Sequence, residues 1–289
     1  MTSTVPPGPL PARPMLRGGI AQPDRRPSGE TMKIVVVGTG LVASRLLTLF
    51  RSQGHDGVEA TPGTGVNTLT GAGLDTALAG ASTVVDVSTS LSGHDAAVQE
   101  FLWRPTRNLL AAEAEAGVGH HVALSLVGAV RMTGSSDMRA KVTQERLVEN
   151  SSLPYSIVRA TQLFEHLDRF ADDFTVDGVV RAPAALVQPM ATQDLAALLH
   201  EVALGAPYHG VVETGGPEAF AVDELFRRTL AARGDVSDVV TDPDARWSGA
   251  RLRRRTLIPG LAADLGTTRL DEWLAVPYRD PALPASPTC

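Results

Sequence analysis

Short apolar runs alternate with amphipathic stretches along the first half of the chain. Residues 33–37 (KIVVV) form a continuous β-branched run, which is typical of a strand buried on both faces of a sheet. Similar runs predict strands at residues 57–60, 83–87, 121–126 and 155–159, and helical periodicity predicts helices at residues 42–53, 96–116 and 138–150. Strands that alternate with helices indicate an α/β fold, with a Rossmann-type doubly wound parallel sheet.

The alternation loosens beyond residue 160. Apolar spacing there predicts helices at residues 164–174, 194–204 and 222–233, with short strands at residues 186–190 and 211–213. We therefore expect a Rossmann domain over residues 32–160 and a smaller C-terminal substrate lobe over residues 161–278, partly interwoven with the sheet. Residues 1–31 are rich in Pro, Gly and Arg and are expected to be a disordered extension, and residues 279–289 a disordered tail.

Composition narrows the function class. Apolar residues make up 43% of the 289 residues, as in a globular protein, and the net charge of −6 argues against nucleic-acid binding. No apolar run reaches the length of about 18 residues that a membrane span needs. The single cysteine, Cys289, excludes an internal disulfide, and the histidines lack metal-ligand spacing, so no metal is expected. These features predict a cytoplasmic protein that acts on a small molecule, and they leave open whether it is an oligomer.

A glycine-rich turn follows the first predicted strand and opens the first predicted helix. Its sequence fits G-x-G-x-x-A, with Ala43 at the last position. Such a turn lets backbone amides at a helix N-terminus approach a pyrophosphate, because the glycines remove steric barriers and the helix dipole favours negative charge. The turn therefore predicts a nicotinamide dinucleotide site that includes Gly38, Thr39, Gly40, Leu41 and Val42.

The choice of dinucleotide depends on the end of the second strand. An acidic residue there would bind the ribose hydroxyls of NAD, but the chain has Thr61, with Glu59 two residues earlier. Thr61 and Thr64 could donate hydrogen bonds to a 2′-phosphate, which favours NADP(H) over NAD(H). Ordinary turn chemistry explains these threonines equally well.

Several stretches together resemble a known family. These are residues 32–42 (MKIVVVGTGLV), 106–112 (TRNLLAA), 122–128 (VALSLVG), 153–162 (LPYSIVRATQ) and 188–196 (QPMATQDLA). Over residues 32–276 the chain resembles the NmrA-like, NAD(P)H-binding branch of the atypical short-chain dehydrogenases/reductases. The family turn is Gly-Gly-Thr-Gly-x-x-Gly, so Val37 and Ala43 stand where the family has glycine.

The resemblance also implies catalytic positions. The family's Tyr-x-x-x-Lys motif aligns with Asp137-Met-Arg-Ala-Lys141, so the lysine that holds the ribose is kept and the proton-donating tyrosine is an aspartate. Asp137 would donate a proton at neutral pH only if burial raised its pKa. The alternative is that Asp137 caps its helix and pairs with Lys141. Ser125, on the family's fifth strand, matches an active-site serine whose hydroxyl would contact the substrate or the nicotinamide amide.

Other positions complete the expected site. Ser88 and Thr89 follow the family's fourth strand, where the dinucleotide passes. His166 is a candidate replacement proton donor, or else an exposed helix residue. Gln162, Phe164 and Met190 match substrate-wall positions, and for each of them core or loop packing is the alternative.

These features lead to one main hypothesis and two alternatives. The main hypothesis is an NAD(P)H-dependent oxidoreductase that transfers hydride to a small organic carbonyl, enone or imine. The alternatives are a non-catalytic dinucleotide sensor with a protein partner and a redox-neutral isomerase or cyclase on the same scaffold. The lost tyrosine favours the alternatives, whereas Ser125 and Lys141 favour the oxidoreductase.

Overall fold

Seven parallel strands form the central sheet. The computed structural model describes residues 30–88 and 97–276, with residues 97–102 described by their backbone alone. The strands of this sheet are β1 (Lys33–Val37), β2 (Asp56–Ala60), β3 (Thr83–Asp86), β4 (His121–Leu126), β5 (Tyr155–Ala160), β9 (Gly210–Gly215) and β14 (Asp264–Leu265). The continuous apolar run of β1 is explained by its central place, because Ile34, Val35 and Val36 are fully buried.

Smaller sheets and eight helices surround this sheet in the described part of the chain. The remaining strands are β6 (Thr175–Val176), β7 (Val179–Pro183), β8 (Leu186–Val187), β10 (Phe220–Ala221), β11 (Asp238–Asp242), β12 (Arg246–Trp247) and β13 (Ala250–Arg251). The helices are α1 (Leu41–Ser52), α2 (Leu74–Leu78), α3 (Ala97–Ala116), α4 (Ser136–Glu149), α5 (Leu167–Asp173), α6 (Thr192–Leu204), α7 (Val222–Ala232) and α8 (Leu270–Leu274).

The strand order is β14-β9-β5-β4-β3-β1-β2, so the order reverses between β1 and β3. Ligands of doubly wound sheets bind beyond the carboxyl ends of the strands at this switch point. The strands that the resemblance numbers fourth and fifth are the third and fourth here, so that numbering is wrong for this chain. Residues 61–73, which hold four glycines, form turns, a short 3₁₀ helix (Pro62–Thr64) and one isolated bridge, and add no strand to the sheet beyond β2.

Helices cover both faces of the sheet. On one face, Ala43 and Phe50 of α1 and Leu195 and Leu199 of α6 pack in one buried cluster with the central strands. On the other face, Leu109 and Leu110 of α3 and Val148 of α4 pack against β3, β4 and β5. These layers fix the beginnings of α1 and α4 at the carboxyl edge of the sheet.

The chain beyond β5 is only partly separate from the sheet. Strands β9 and β14 complete the central sheet, whereas β6, β7 and β11 form a three-stranded sheet with its own buried cluster around Phe226 and Trp247. The predicted boundary at residue 160 stays a prediction. In the segments that the structure describes, no helix has both the length and the apolar composition to cross a membrane.

Candidate functional site

The glycine turn lies at the switch point. Gly38 has φ +117° and Gly40 has φ +95°, both in the region that favours glycine. A Cβ on Gly38 would lie 3.0 Å from the backbone nitrogen of Ser88 and 3.1 Å from the carbonyl carbon of Val87. The turn after β1 therefore packs directly on the backbone at the end of β3. A Cβ on Gly40 would meet no described atom within 4 Å, so the helix N-terminus has open space beside it.

The N-terminal end of α1 presents backbone amides that no described side chain caps. Gly40 is its N-cap, no described side chain caps it, and its first turn carries no acidic residue. The first intrahelical bond is from the Ser44 N–H to the Gly40 carbonyl at 3.0 Å, which leaves the earlier amides, including those of Leu41 and Val42, at the helix end. Exposed Thr39 and Gly40 form the outer part of this turn.

The two departures from the family turn are accommodated by packing. The Val37 side chain is buried in a cluster with Ala60 and Val66. Ala43 is buried in the cluster that also contains Ile34 and Val36 of β1. Alanine therefore allows the close approach of α1 to β1 that the sequence predicted.

The threonines after β2 are engaged with their own turn. The Thr64 hydroxyl donates to backbone carbonyls, with distances of 2.9 Å to Glu59 and 3.0 Å to Thr61, and accepts from the Thr61 N–H at 3.0 Å. The Thr61 hydroxyl lies 3.5 Å from that of Thr64. The Glu59 side chain is exposed. The predicted contact of Thr61 with a 2′-phosphate stays a prediction, and the turn chemistry is present.

Lys141 is held inside the protein. Its ammonium donates to the Ser88 carbonyl at 2.7 Å, the Leu124 carbonyl at 2.9 Å and Gln144 Oε1 at 2.9 Å, which uses all three donors. Burial lowers its pKa, and the negative charges of Asp86 and Glu145 partly oppose that effect. A ribose hydroxyl would have to displace one of these acceptors, so the ribose contact stays a prediction. The Ser88 backbone lies beside the turn, and its contact with the dinucleotide stays a prediction, whereas Thr89 lies outside the described residues.

Asp137 lies in the first turn of α4 and does not cap it. Ser135 is the N-cap, and its hydroxyl accepts from the Met138 N–H at 3.3 Å. The predicted capping role of Asp137 is therefore wrong, because the cap lies two residues earlier, and the three hydrogen bonds of Lys141 go to other groups. Asp137 Oδ1 is buried with no hydrogen-bond partner among the described residues. Burial raises the pKa of this carboxyl, as proton donation would require.

Ser125 lies near the carboxyl end of β4, on the side of the sheet that α3 and α4 cover. It shares a face with Ala123, which packs against Leu110 and Val148. Its hydroxyl is buried and meets no hydrogen-bond partner in the described part of the chain. Buried hydroxyls are normally satisfied, so this orphaned group marks a place where a ligand or water would bind.

Two ion-paired side chains lie beside Ser125, and the sequence analysis assigned them no role. Arg159 of β5 is the strand partner of Ser125 and binds Glu145 of α4 with two hydrogen bonds, of 2.8 and 2.6 Å. The bonds to Glu145 raise the pKa of Arg159. The pair ties α4 to β5.

The remaining predicted residues are mostly packing residues. Met190 is fully buried in the main cluster and Phe164 is buried against Trp273, with ring centroids 5.4 Å apart. Gln162 is buried, and its Oε1 finds no hydrogen-bond partner within the described segments. His166 is exposed and contacts Phe170 edge-on. Their substrate and proton-donor roles stay predictions, and of these four only Gln162 offers a free buried polar atom.

Comparison with known proteins establishes the fold. No protein-family model and no curated protein matches the sequence. The Bordetella bronchiseptica enzyme WbmG, in complex with NAD and UDP, has a TM-score of 0.61 and 17% identity, covering 78% of this chain and 85% of that one. The Escherichia coli NADPH-dependent quinone oxidoreductase QOR2, complexed with NADPH, has a TM-score of 0.55 and 19% identity, covering 72% and 77%. The UDP-N-acetylglucosamine 4-epimerase of Bacillus cereus has a TM-score of 0.54 and 17% identity, covering 73% and 89%. The predicted Rossmann fold is confirmed.

Proposed function

We propose that this chain binds a nicotinamide dinucleotide at the switch point and transfers hydride to a small organic carbonyl, enone or imine. The observation that carries the proposal is the glycine turn at Gly38 and Gly40, whose free α1 amides adjoin open space. Complexes of similar folds with NAD and NADPH support it. Membership of the NmrA-like branch of the short-chain dehydrogenases/reductases, a small-molecule substrate and a cytoplasmic location belong to the same proposal.

The residues present fit the diphosphate of such a cofactor. The amides of residues 39–42 would donate to its oxygens, and the α1 dipole would stabilise its charge. A side chain at Gly40 would extend into the space that the diphosphate would occupy, because a Cβ there meets no described atom within 4 Å. We propose NADP(H) as the preferred form, with NAD(H) as the alternative, because the residue that follows β2 is Thr61 rather than a carboxylate.

The chemistry would be shared between the cofactor and two side chains. The bound reduced nicotinamide would supply the hydride to a substrate carbon. The Ser125 hydroxyl would donate a hydrogen bond to the substrate oxygen or nitrogen. The protonated Asp137 carboxyl would then supply the proton that balances the hydride, which its raised pKa favours.

A redox-neutral reaction is the second candidate. One fold neighbour is a UDP-N-acetylglucosamine 4-epimerase, and the replacement of tyrosine by Asp137 alters the group that would donate a proton. In this reading the chain would convert its substrate without net cofactor consumption. Dinucleotide binding with no turnover of either kind would favour the third hypothesis, a sensor with a protein partner.

The test combines binding with turnover. Calorimetry with NAD and NADP in both redox states measures affinity, and loss of reduced-nicotinamide absorbance is followed with a panel of carbonyls, enones and imines. Ser125→Ala should lower the turnover number with little change in dinucleotide affinity. The matched control is Ser82→Ala. Ser82 directly precedes β3, at the amino ends of the strands and away from the site, so turnover should be unchanged. Product formed without cofactor oxidation would replace the oxidoreductase with the redox-neutral candidate.

A further inference from the structure

A closed ring of hydrogen bonds joins the carboxyl end of β3 to α4. Asp86 Oδ1 accepts from the Ser88 N–H at 2.9 Å, and Asp86 Oδ2 accepts from Gln144 Nε2 at 2.8 Å. Gln144 Oε1 accepts from Lys141 Nζ, which also donates to the Ser88 carbonyl and so closes the ring. Asp86, Gln144 and Lys141 are all buried, and Asp86 is the last residue of β3, a strand whose four residues are all buried.

We infer that Asp86 and Gln144 are positioning residues for the dinucleotide site, an inference that rests on the proposed function. The ring binds both the N–H and the carbonyl of Ser88, so it fixes the backbone on which Gly38 packs. The third donor of Lys141 binds Leu124, the residue before Ser125. The ring therefore sets the spacing between the diphosphate turn, the Ser125 strand and the helix that carries Asp137.

The Gln144 side-chain amide fixes the direction of the hydrogen bonds in the ring. Its carbonyl oxygen faces the Lys141 ammonium and its amide nitrogen faces the Asp86 carboxylate, with both distances below 3 Å. The reverse orientation would place donor against donor and acceptor against acceptor, which is costly for buried groups. An amide is thus the neutral group that satisfies both charged neighbours.

A carboxyl at this position would reproduce the amide only when it is protonated. Neutral glutamic acid accepts from Lys141 through its carbonyl and donates to Asp86 through its hydroxyl. The ionised form places two carboxylates in contact, which strongly raises one of their pKa values. The charged groups around the ring are Asp86 itself, Lys141 and Glu145 of α4, and the buried pair of Glu113 and His121, which interacts electrostatically with Asp86.

The test is the dinucleotide affinity of Gln144→Glu relative to the wild type as a function of pH. Calorimetry uses NADP⁺ and NAD⁺ as probes. At about pH 8, Gln144→Glu should bind each dinucleotide at least about tenfold more weakly than the wild type, because a buried charge-assisted hydrogen bond is lost. The ratio of the variant's affinity to that of the wild type should approach one at about pH 5.5, because the carboxylate pair takes up a proton. Gln144→Leu forms neither bond and should stay weak at both pH values.

Controls separate this inference from the proposed function. Gln53→Glu, exposed at the end of α1, should give a ratio near one throughout, and urea unfolding at each pH checks that all variants are folded. If Gln144→Glu bound dinucleotide as tightly as the wild type at about pH 8, or lost affinity equally at both pH values, the positioning role of Asp86 and Gln144 would be overturned. Absence of binding by the wild type would instead refute the proposed function, and the positioning role with it.

Discussion

Replacement of Gly38 by alanine should disrupt the site through a defined steric conflict. The new Cβ would lie 3.0 to 3.2 Å from three backbone atoms of Val87 and Ser88, which cannot move without shifting β3. It would also hold an L residue at φ +117°. The backbone penalty is about 1–2 kcal/mol and overpacking adds about 1–3 kcal/mol, so Gly38→Ala should lower the free energy of unfolding by about 2–5 kcal/mol.

Two other glycines serve as matched variants. Gly54 has φ +83° and open space around it, so Gly54→Ala should show the backbone penalty alone and bind dinucleotide normally. Gly40 also has open space, and Gly40→Ala should cost about 1–3 kcal/mol of backbone strain while losing most of its dinucleotide affinity. Urea unfolding and calorimetry with NADP⁺ measure both properties. If Gly38→Ala were as stable as the wild type, the proposed steric conflict with Val87 and Ser88 would be refuted. If Gly40→Ala bound dinucleotide as tightly as the wild type, the proposed diphosphate site at this turn would be refuted.

Three further predictions concern the elements around the turn. Because burial raises the pKa of Asp137, the reduction rate should fall as pH rises through that pKa; Asp137→Asn should remove this pH dependence, and a pH profile of kcat checks it. Glu145→Gln leaves Arg159 without its ionised partner and should lower the free energy of unfolding by about 1–3 kcal/mol in urea titrations; an unchanged midpoint would refute this. Ala43→Leu should overpack α1 against β1 and cost about 1–3 kcal/mol, measured by thermal unfolding, with an unshifted Tm as the contrary result.

The elements of the fold were predictable because their causes are local. Buried parallel strands are apolar throughout and helices carry an apolar stripe, so β1, β4 and β5 could be placed from the sequence. The glycine turn was predictable for the same reason, since its backbone demands are confined to a few adjacent residues.

The side-chain network of the site could not be predicted because its partners are distant in sequence. Asp86 and Gln144 are 58 residues apart, and Lys141 and Ser88 are 53 apart. One signal was present, since a carboxylate that ends a strand buried on both faces requires a polar partner. The cap of α4 was misplaced because Ser135 and Asp137 are both good N-cap residues.

Amide chemical-shift mapping during titration with NADP⁺ and NAD⁺ tests the central claim most directly. Saturable chemical-shift changes should be largest for the amides of residues 39–42, with smaller changes at Ser88. Saturable changes centred on another part of the protein would contradict the phosphate assignment. No change with either dinucleotide at millimolar concentration would contradict the proposed function as a whole.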